Sequence, residues 1–297
     1  MSRAIVLRAS SGAVVTQIIA LLGHPVRHSI SPVFQQAALD ACGIDARYET
    51  WDVSPVDLRS AAERLRGGDL LGANVTIPHK AAMIALIDRP DPSAERLGAV
   101  NTVVNRGGLL EASNTDVVGV RNTLLDAMAP VDGEHVVLLG AGGAARAVVM
   151  ALVSLGASAL TVANRTPAHG DPLRSLGGES LPVEICHLDE SSMELRAALS
   201  QASLVIHSTP LGMRHGPAEG RSPLPGSAFR PGQVAFDLVY NPKRTPFLVE
   251  AERGGARALG GLSMLVHQGA ASFRLWTGIE PPLEVMFEAA RAALDER

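Results

Sequence analysis

Between His135 and Val149 the chain reads HVVLLGAGGAARAVV, an apolar run that breaks on glycine and resumes as alanine-rich helix. Val136 to Leu139 suit a strand buried on both faces. Gly140, Gly142 and Gly143 permit a tight turn and a close approach of backbone to ligand, and the helix that follows offers free N–H groups at its start. Strand, glycine turn and helix in this order make the first half of a dinucleotide-binding crossover. Ala145 takes the place of the third glycine in the common GxGxxG spacing, a form that the spacing allows. About 115 residues with polar clusters of their own precede this unit, so a separate substrate domain is expected ahead of the cofactor domain.

A length of 297 residues, 46% of them hydrophobic, is ample for two buried cores. The 26 basic and 30 acidic residues give a net charge of −4 without any basic run, which argues against nucleic acid or an anionic membrane and for a small-molecule ligand. Cys42 and Cys186 stand far apart, outside any CxxC or Cys/His ligand spacing. Neither a disulfide framework nor a metal site is expected, and a reduced cytosol fits. In the leader MSRAIVLRASSGAVV, Arg8 and the Ser10-Ser11-Gly12 turn interrupt any signal-peptide core, and no segment has membrane-spanning length. A cytoplasmic, soluble enzyme with a loose leader is the expectation.

Apolar runs and breakers predict strands at Thr16–Leu22, Tyr48–Val53 and Leu70–Pro78, with helices from Ser31-Pro32, from Ser54 to about Arg66 and from Ala81 to Ile87. Val100–Val104 and Leu109–Glu111 flank Arg106-Gly107-Gly108 as a hairpin, giving an α/β half with mixed strand directions. A helix from Val117 to about Met128 leads into strands at Val136–Leu139, Leu160–Ala163, Val183–Cys186, Leu204–His207 and Val234–Val239. Their alternation with helices predicts a doubly wound parallel sheet. The Pro/Gly stretch from Gly212 to Gly232 exceeds ordinary loop length and is expected to be mobile or functional. Two helices, Leu262–Thr277 and Pro282 to the end, complete the chain and are expected to fold back on the first half.

Four polar clusters carry candidate chemistry. In GHPVRHSISP, Ser29 and Ser31 sit before a helix with Pro32 in its first turn, which makes either a seat for a carboxylate or an ordinary N-cap at Ser31. His24 and His28 have no obvious partner in the sequence. In GANVTIPHK, Lys80 opens a helix, where positive charge is disfavoured by about 0.3–1 kcal/mol. Partial burial there would lower its pKa and make it a usable proton acceptor; the alternative is a solvated surface lysine. Asn101-Thr102 and Ser113-Asn114-Thr115-Asp116 end strand-like runs, where they suit either the hydroxyls of a polyol or plain turn chemistry. Asp116, just before the bridging helix, is expected where substrate meets cofactor.

Cofactor choice is set at the next strand end, where a carboxylate favours NAD. Here the chain has Asn164-Arg165-Thr166, which removes that carboxylate and offers a guanidinium to a 2′-phosphate, so NADP is favoured.

Taken in order, HSISP, GANVTIPHK, LGAVNTV, SNTDVVG, LLGAGGAARA, ANRT, STPLGM, DLVYNPKRTPFL and GGLSMLVHQGAASFRLWTG resemble the shikimate dehydrogenase family over about residues 16 to 280. The resemblance implies an α/β substrate domain, residues 1–116 completed by the helices of 261–297, and a Rossmann NADP-binding domain at 117–260. It implies that Ser29 and Ser31 hold a substrate carboxylate, that Thr76, Asn101 and Gln268 contact ring hydroxyls with Tyr240 beside them, and that Lys80 and Asp116 form the catalytic pair. Gly140, Ala141, Gly142, Gly143, Ala144, Asn164, Arg165 and Thr166 would bind the cofactor, with Gly261 and Met264 approaching its nicotinamide.

The implied reaction is the reversible NADP-dependent reduction of 3-dehydroshikimate to shikimate, a step toward chorismate and the aromatic amino acids, by a monomer or homodimer. A quinate or dual quinate/shikimate dehydrogenase using NAD is the alternative, against which Ser31 and Asn164 speak; a shikimate-binding sensor without turnover is more remote, since Lys80 is present. The chain departs from the family at Gln35-Gln36, where relatives carry His-Asn, and at Ala112-Ser113, where a glycine is usual. The first change should touch packing or capping, and the second should shift Asp116 slightly.

Overall fold

The computed structural model describes residues 16–216 and 218–296, and the leader expected up to Val15 lies outside them. The chain divides into two compact units, one running up to Thr115 and resuming at Gln268, the other Asp116–His267.

The first unit is built on β1 (Gln17–Gly23), α1 (Ser31–Ala41), β2 (Ala46–Asp52), α2 (Leu58–Arg64), β3 (Leu70–Val75), α3 (Lys80–Met83), β4 (Arg89–Pro90), α4 (Pro92–Leu97), β5 (Thr102–Arg106) and β6 (Leu109–Ser113). Its sheet has the order β2-β1-β3-β5-β6-β4. β1 pairs parallel with β2 and β3, the β5–β6 hairpin joins antiparallel to β3, and β4 runs parallel to β6. Leu22, Leu65, Ala73, Met83, Val103 and Leu110 pack one buried cluster between sheet and helices. Gly72 holds a left-handed φ of +153°, and a Cβ there would strike the Val103 carbonyl and come within 2.8 Å of Trp276 Nε1. Only glycine lets β3, β5 and that indole meet.

Some expected elements change length for local reasons. The helix expected over Ala81–Ile87 is a single α turn followed by a 3-10 turn at Ile84–Leu86. Ile87 is already extended, and Asp88 N–H bonds to the Leu110 carbonyl at 3.1 Å as the chain joins the sheet edge. The third strand stops at Val75 rather than Pro78, since His79 N–H turns back to the Thr76 carbonyl at 2.8 Å. β4 and α4 were not expected, although α4 carries a full start signal: Asp91 Oδ1 accepts Ala94 N–H at 2.8 Å and Pro92 occupies the first turn.

The second unit contains α5 (Asp116–Asp126), β7 (His135–Leu139), α6 (Gly143–Ser154), β8 (Ala159–Asn164), α7 (Asp171–Gly177), β9 (Val183–His187), α8 (Met193–Gln201), β10 (Leu204–His207), β11 (Val234–Asp237), α9 (Pro246–Arg253) and β12 (Arg257–Leu259). All of its ladders are parallel, in the order β12-β11-β10-β7-β8-β9. Counted along this unit from β9, that is the 3-2-1-4-5-6 order of the doubly wound dinucleotide fold, whose ligand crevice lies at the carboxyl ends of the strands where the order reverses. Here the reversal falls between β7 and β10. β12 completes the sheet beyond the five strands expected. The described residues of the long stretch from Gly212 to Gly232 include a 3-10 turn at Gly226–Ala228. It is tied down by Arg214 N–H to Asn241 O at 2.9 Å and by Gly226 N–H to Glu250 Oε2 at 2.7 Å.

Two helices follow, α10 (Leu262–Thr277) and α11 (Leu283–Asp295). α10 counts with the first unit from Gln268 onward, and α11 lies against α1 there.

Candidate active site

In the first unit the β1–α1 loop delivers two hydroxyls to the head of an eleven-residue helix. Ser31 is the first residue of α1 rather than its cap, and Ile30 takes the cap position without a side-chain bond. Ser29 Oγ instead accepts Ser31 N–H at 3.2 Å. Capping at Ser31 is therefore not what these serines do, and their hydroxyls stand where the helix offers positive partial charge. The loop has an anchor that the sequence did not reveal: His24 Nδ1 lies 2.7 Å from Asp52 Oδ1, at the end of β2. The pair is 28 residues apart in sequence, so no local pattern announces it.

Lys80 follows the turn that ends β3 and is half-buried, as is Thr76. With one α turn behind it, the macrodipole contributes little, and the backbone is what fixes the lysine. Its carbonyl accepts Val100 N–H at 2.9 Å, and the preceding His79, 1% exposed, places Nε2 2.6 Å from the Val53 carbonyl. A carbonyl only accepts, so His79 carries its proton on Nε2.

Asn101 is 2% exposed and lies among other buried polar side chains of this unit. Its Oδ1 accepts Thr115 N–H at 2.7 Å, and its Nδ2 donates to Thr115 Oγ1 at 2.9 Å and to Gln268 Oε1 at 3.3 Å. One amide thus joins β5's start, the end of β6 and α10. Thr115 precedes Asp116, which begins α5 with its side chain buried. Asp116 and Tyr240, expected beside the substrate, belong by contact to the second unit.

Gln35 and Gln36, where the chain departs from the family it resembles, both work structurally. Gln36 donates to Asp40 Oδ1 at 2.8 Å and the Ala46 carbonyl at 3.2 Å and accepts Tyr48 N–H at 2.9 Å, pinning α1 to β2. Gln35, 1% exposed, donates to the Gly269 carbonyl at 2.9 Å.

On the second unit Gly140 takes φ +104°, and a Cβ there would come within 2.9 Å of Ser208 Oγ. Gly142 and Gly143 are exposed with nothing within 4 Å of where a Cβ would stand. Gly142 caps α6 without a side-chain bond, so the twelve-residue helix presents bare N–H groups over open glycines, which fits a dinucleotide pyrophosphate. Ala141 and Ala144 flank this turn half-buried. At the end of β8, Asn164 Nδ2 donates to the Thr166 carbonyl at 2.8 Å, shaping a turn on which Arg165 and Thr166 are exposed. At the start of α10, a side chain at Gly261 would meet the Leu238 carbonyl and lie 2.9 Å from that of Asp237, so glycine alone lets the helix start there; Met264, 9% exposed, follows one turn on.

Three family descriptions match in series: "Shikimate dehydrogenase substrate binding domain" over 21–103, "Shikimate / quinate 5-dehydrogenase" over 124–211 and "Shikimate 5'-dehydrogenase C-terminal domain" over 261–291. The NADP(+) shikimate dehydrogenase of Moorella thermoacetica is 46% identical over 281 residues, which is 94% of each chain. Among solved structures, Thermus thermophilus shikimate 5-dehydrogenase in complex with NADP(H) and shikimate is 39% identical, with a TM-score of 0.83 over 94% of this chain and all of its own. The Listeria monocytogenes enzyme in complex with shikimate and NAD is 31% identical, with a TM-score of 0.86 over 95% and 98%. Likeness that runs through sequence and fold alike, end to end in both partners, is more than a shared architecture, and the chain belongs to the shikimate dehydrogenase family.

Proposed function

We propose that this protein is the NADP-dependent shikimate dehydrogenase of its host, reducing 3-dehydroshikimate reversibly to shikimate on the way to chorismate and the aromatic amino acids. The observation that carries this reading is the buried amide of Asn101, held between Thr115 and Gln268 in a unit that also supplies Ser29, Ser31, Thr76 and Lys80. Hydroxyls, amides and one amine, with a carboxylate next in sequence, suit a polyhydroxy acid. Relatives named for NADP-linked shikimate dehydrogenation weigh against the quinate/NAD alternative and against a sensor.

In this reading Ser29 and Ser31 hold the substrate carboxylate, Thr76, Asn101 and Gln268 contact its hydroxyls, and Tyr240 contributes to substrate binding. Gly140 to Ala144 seat the cofactor's pyrophosphate, Asn164, Arg165 and Thr166 its 2′-phosphate end, and Gly261 and Met264 its nicotinamide. Bound NADPH supplies a hydride to the ring carbonyl carbon. Lys80 gives the carbonyl oxygen its proton in that direction and takes it back in the other. Asp116, whose side chain is buried, orients the hydroxyl. Among the described residues no helix is long and apolar enough to cross a membrane, and a cytoplasmic setting, as monomer or homodimer, accords with a small soluble substrate.

The test is a grid of initial rates with shikimate or quinate against NADP or NAD. A dominant kcat/KM for shikimate with NADP is expected. Dominance of quinate with NAD would replace the reading with the alternative, and no rate in any pairing would leave a binding protein.

A further inference from the structure

The contacts of Asn101, Thr115 and Gln268 converge on a residue that no motif singled out. Ser272 lies one turn after Gln268 on α10 and has no solvent exposure. Its Oγ is 2.7 Å from Thr102 Oγ1, 3.1 Å from Thr115 Oγ1, 3.1 Å from Asn74 Nδ2 and 3.0 Å from the Gln268 carbonyl. Asn74 in turn accepts Tyr48 O–H at 2.7 Å and donates to the Asn101 carbonyl at 3.0 Å. All of these groups lie in the first unit.

Donor and acceptor roles tie this web together. A serine hydroxyl has one hydrogen and two lone pairs. Asn74 Nδ2 can only donate to it, and Thr102 Oγ1 donates to Asn101 Oδ1 at 3.0 Å. The Ser272 hydrogen faces two acceptors, the Gln268 carbonyl and Thr102 Oγ1, and its lone pairs face Asn74 Nδ2 and Thr115 Oγ1. Thr115 Oγ1 then keeps a lone pair for Asn101 Nδ2, as observed at 2.9 Å. Asn101 Oδ1 is committed to Thr102 and Thr115, so its amide group is turned with Nδ2 toward Gln268. Removing the serine hydroxyl takes a partner from Thr102, Thr115, Asn74 and the Gln268 carbonyl at once, and Thr102 and Thr115 are the hydroxyls that, with the Thr115 N–H, surround the Asn101 amide.

We propose that Ser272 is a positioning residue for substrate recognition: it holds in place Thr102 and Thr115, the hydroxyls around the Asn101 amide, and, through the carbonyl one turn back on α10, Gln268. The proposal rests on the shikimate dehydrogenase reading above. It concerns the substrate alone, because none of the groups it orders belongs to the nucleotide-binding unit.

Two variants test it, Ser272→Ala and Thr102→Val, each of which removes one hydroxyl link and adds no atoms beyond the original outline. The shikimate KM is expected to rise about tenfold or more in both, while the NADP KM stays within about twofold and the protein remains folded at the assay temperature. Thr102→Ser, which keeps the hydroxyl, should restore the shikimate KM. A shikimate KM within twofold of the wild type in both variants would overturn the proposal. So would a parallel rise in both KM values together with a large loss of melting temperature, since a purely structural serine gives that pattern. A wild-type protein without shikimate turnover would instead remove the functional reading, and this proposal with it.

Discussion

His207 Nδ1 lies 3.0 Å from Asp237 Oδ1, and neither side chain has any solvent exposure. The pair spans the carboxyl ends of two neighbouring strands of the nucleotide-binding sheet, β10 and β11. Asp237 also accepts Val239 N–H at 2.9 Å and the Thr245 hydroxyl at 2.5 Å, while His207 Nε2 meets Thr209 Oγ1 at 2.5 Å. A carboxylate has no hydrogen to give, so His207 donates through Nδ1, and both of its ring nitrogens have a partner. Truncating Asp237 leaves His207 Nδ1, the Val239 N–H and the Thr245 hydroxyl without their shared partner, at a cost of about 1–3 kcal/mol for each buried group left unsatisfied. Asp237→Ala should lose that much in urea unfolding, and Asp237→Asn, which still accepts at one atom, should lose less. Equal and small losses would show that water enters the site.

Lys80 is held by backbone on both sides, through the Val100 N–H on its carbonyl and the His79 ring on Val53. Removing its amine should therefore leave the fold in place. Lys80→Ala is expected to lower kcat by about a hundred- to ten-thousand-fold, the usual range for loss of a general acid or base, with a much smaller change in shikimate KM. Steady-state kinetics decide this. An unchanged kcat would remove the lysine from proton transfer.

How far the sequence alone reached depended on how local each signal was. The strand, glycine turn and α6 unit, the hairpin at Arg106-Gly107-Gly108 and both ends of α10 were legible because each is set by neighbours in the chain. β12 and β4 were missed because three and two residues are too few for any periodicity to show. The candidate side chains could be named from their motifs, but the web that orients them could not. Ser272 meets Asn74 across 198 positions and Thr102 across 170. A buried serine in an apolar helix and a tyrosine on an early strand are the only traces such a web leaves in one sequence.

Arg165 is exposed on the turn after β8, beside an asparagine where an acidic residue would repel a 2′-phosphate. A charge-assisted bond to phosphate is worth about 1.5–3 kcal/mol, or roughly ten- to a hundredfold in affinity. Arg165→Ala should raise the NADP KM by that factor and leave the NAD KM within about twofold. If both cofactors weakened together, the arginine would be supporting the turn rather than reading the phosphate.

The two cysteines should separate cleanly by reactivity. Cys186 is buried on β9, and burial, assisted by the nearby charges of Glu194 and Glu184, pushes its thiol up to about 11. At pH 8 only about one in a thousand such thiols is ionised, and the thiolate is the species that reacts. Cys42, at the end of α1, is partly exposed. Native protein at pH 8 should therefore release one equivalent of thiol rapidly to an aromatic disulfide reagent and the second only after unfolding in urea. The same shift makes stability fall as pH rises, since from about pH 8.5, the ordinary thiol value, up to about 11 the unfolded chain loses a proton that the native thiol keeps. Cys186→Ser should flatten that alkaline slope. Two rapid equivalents in the native state would show that β9 opens to solvent, and an unchanged slope in Cys186→Ser would place its origin in another group.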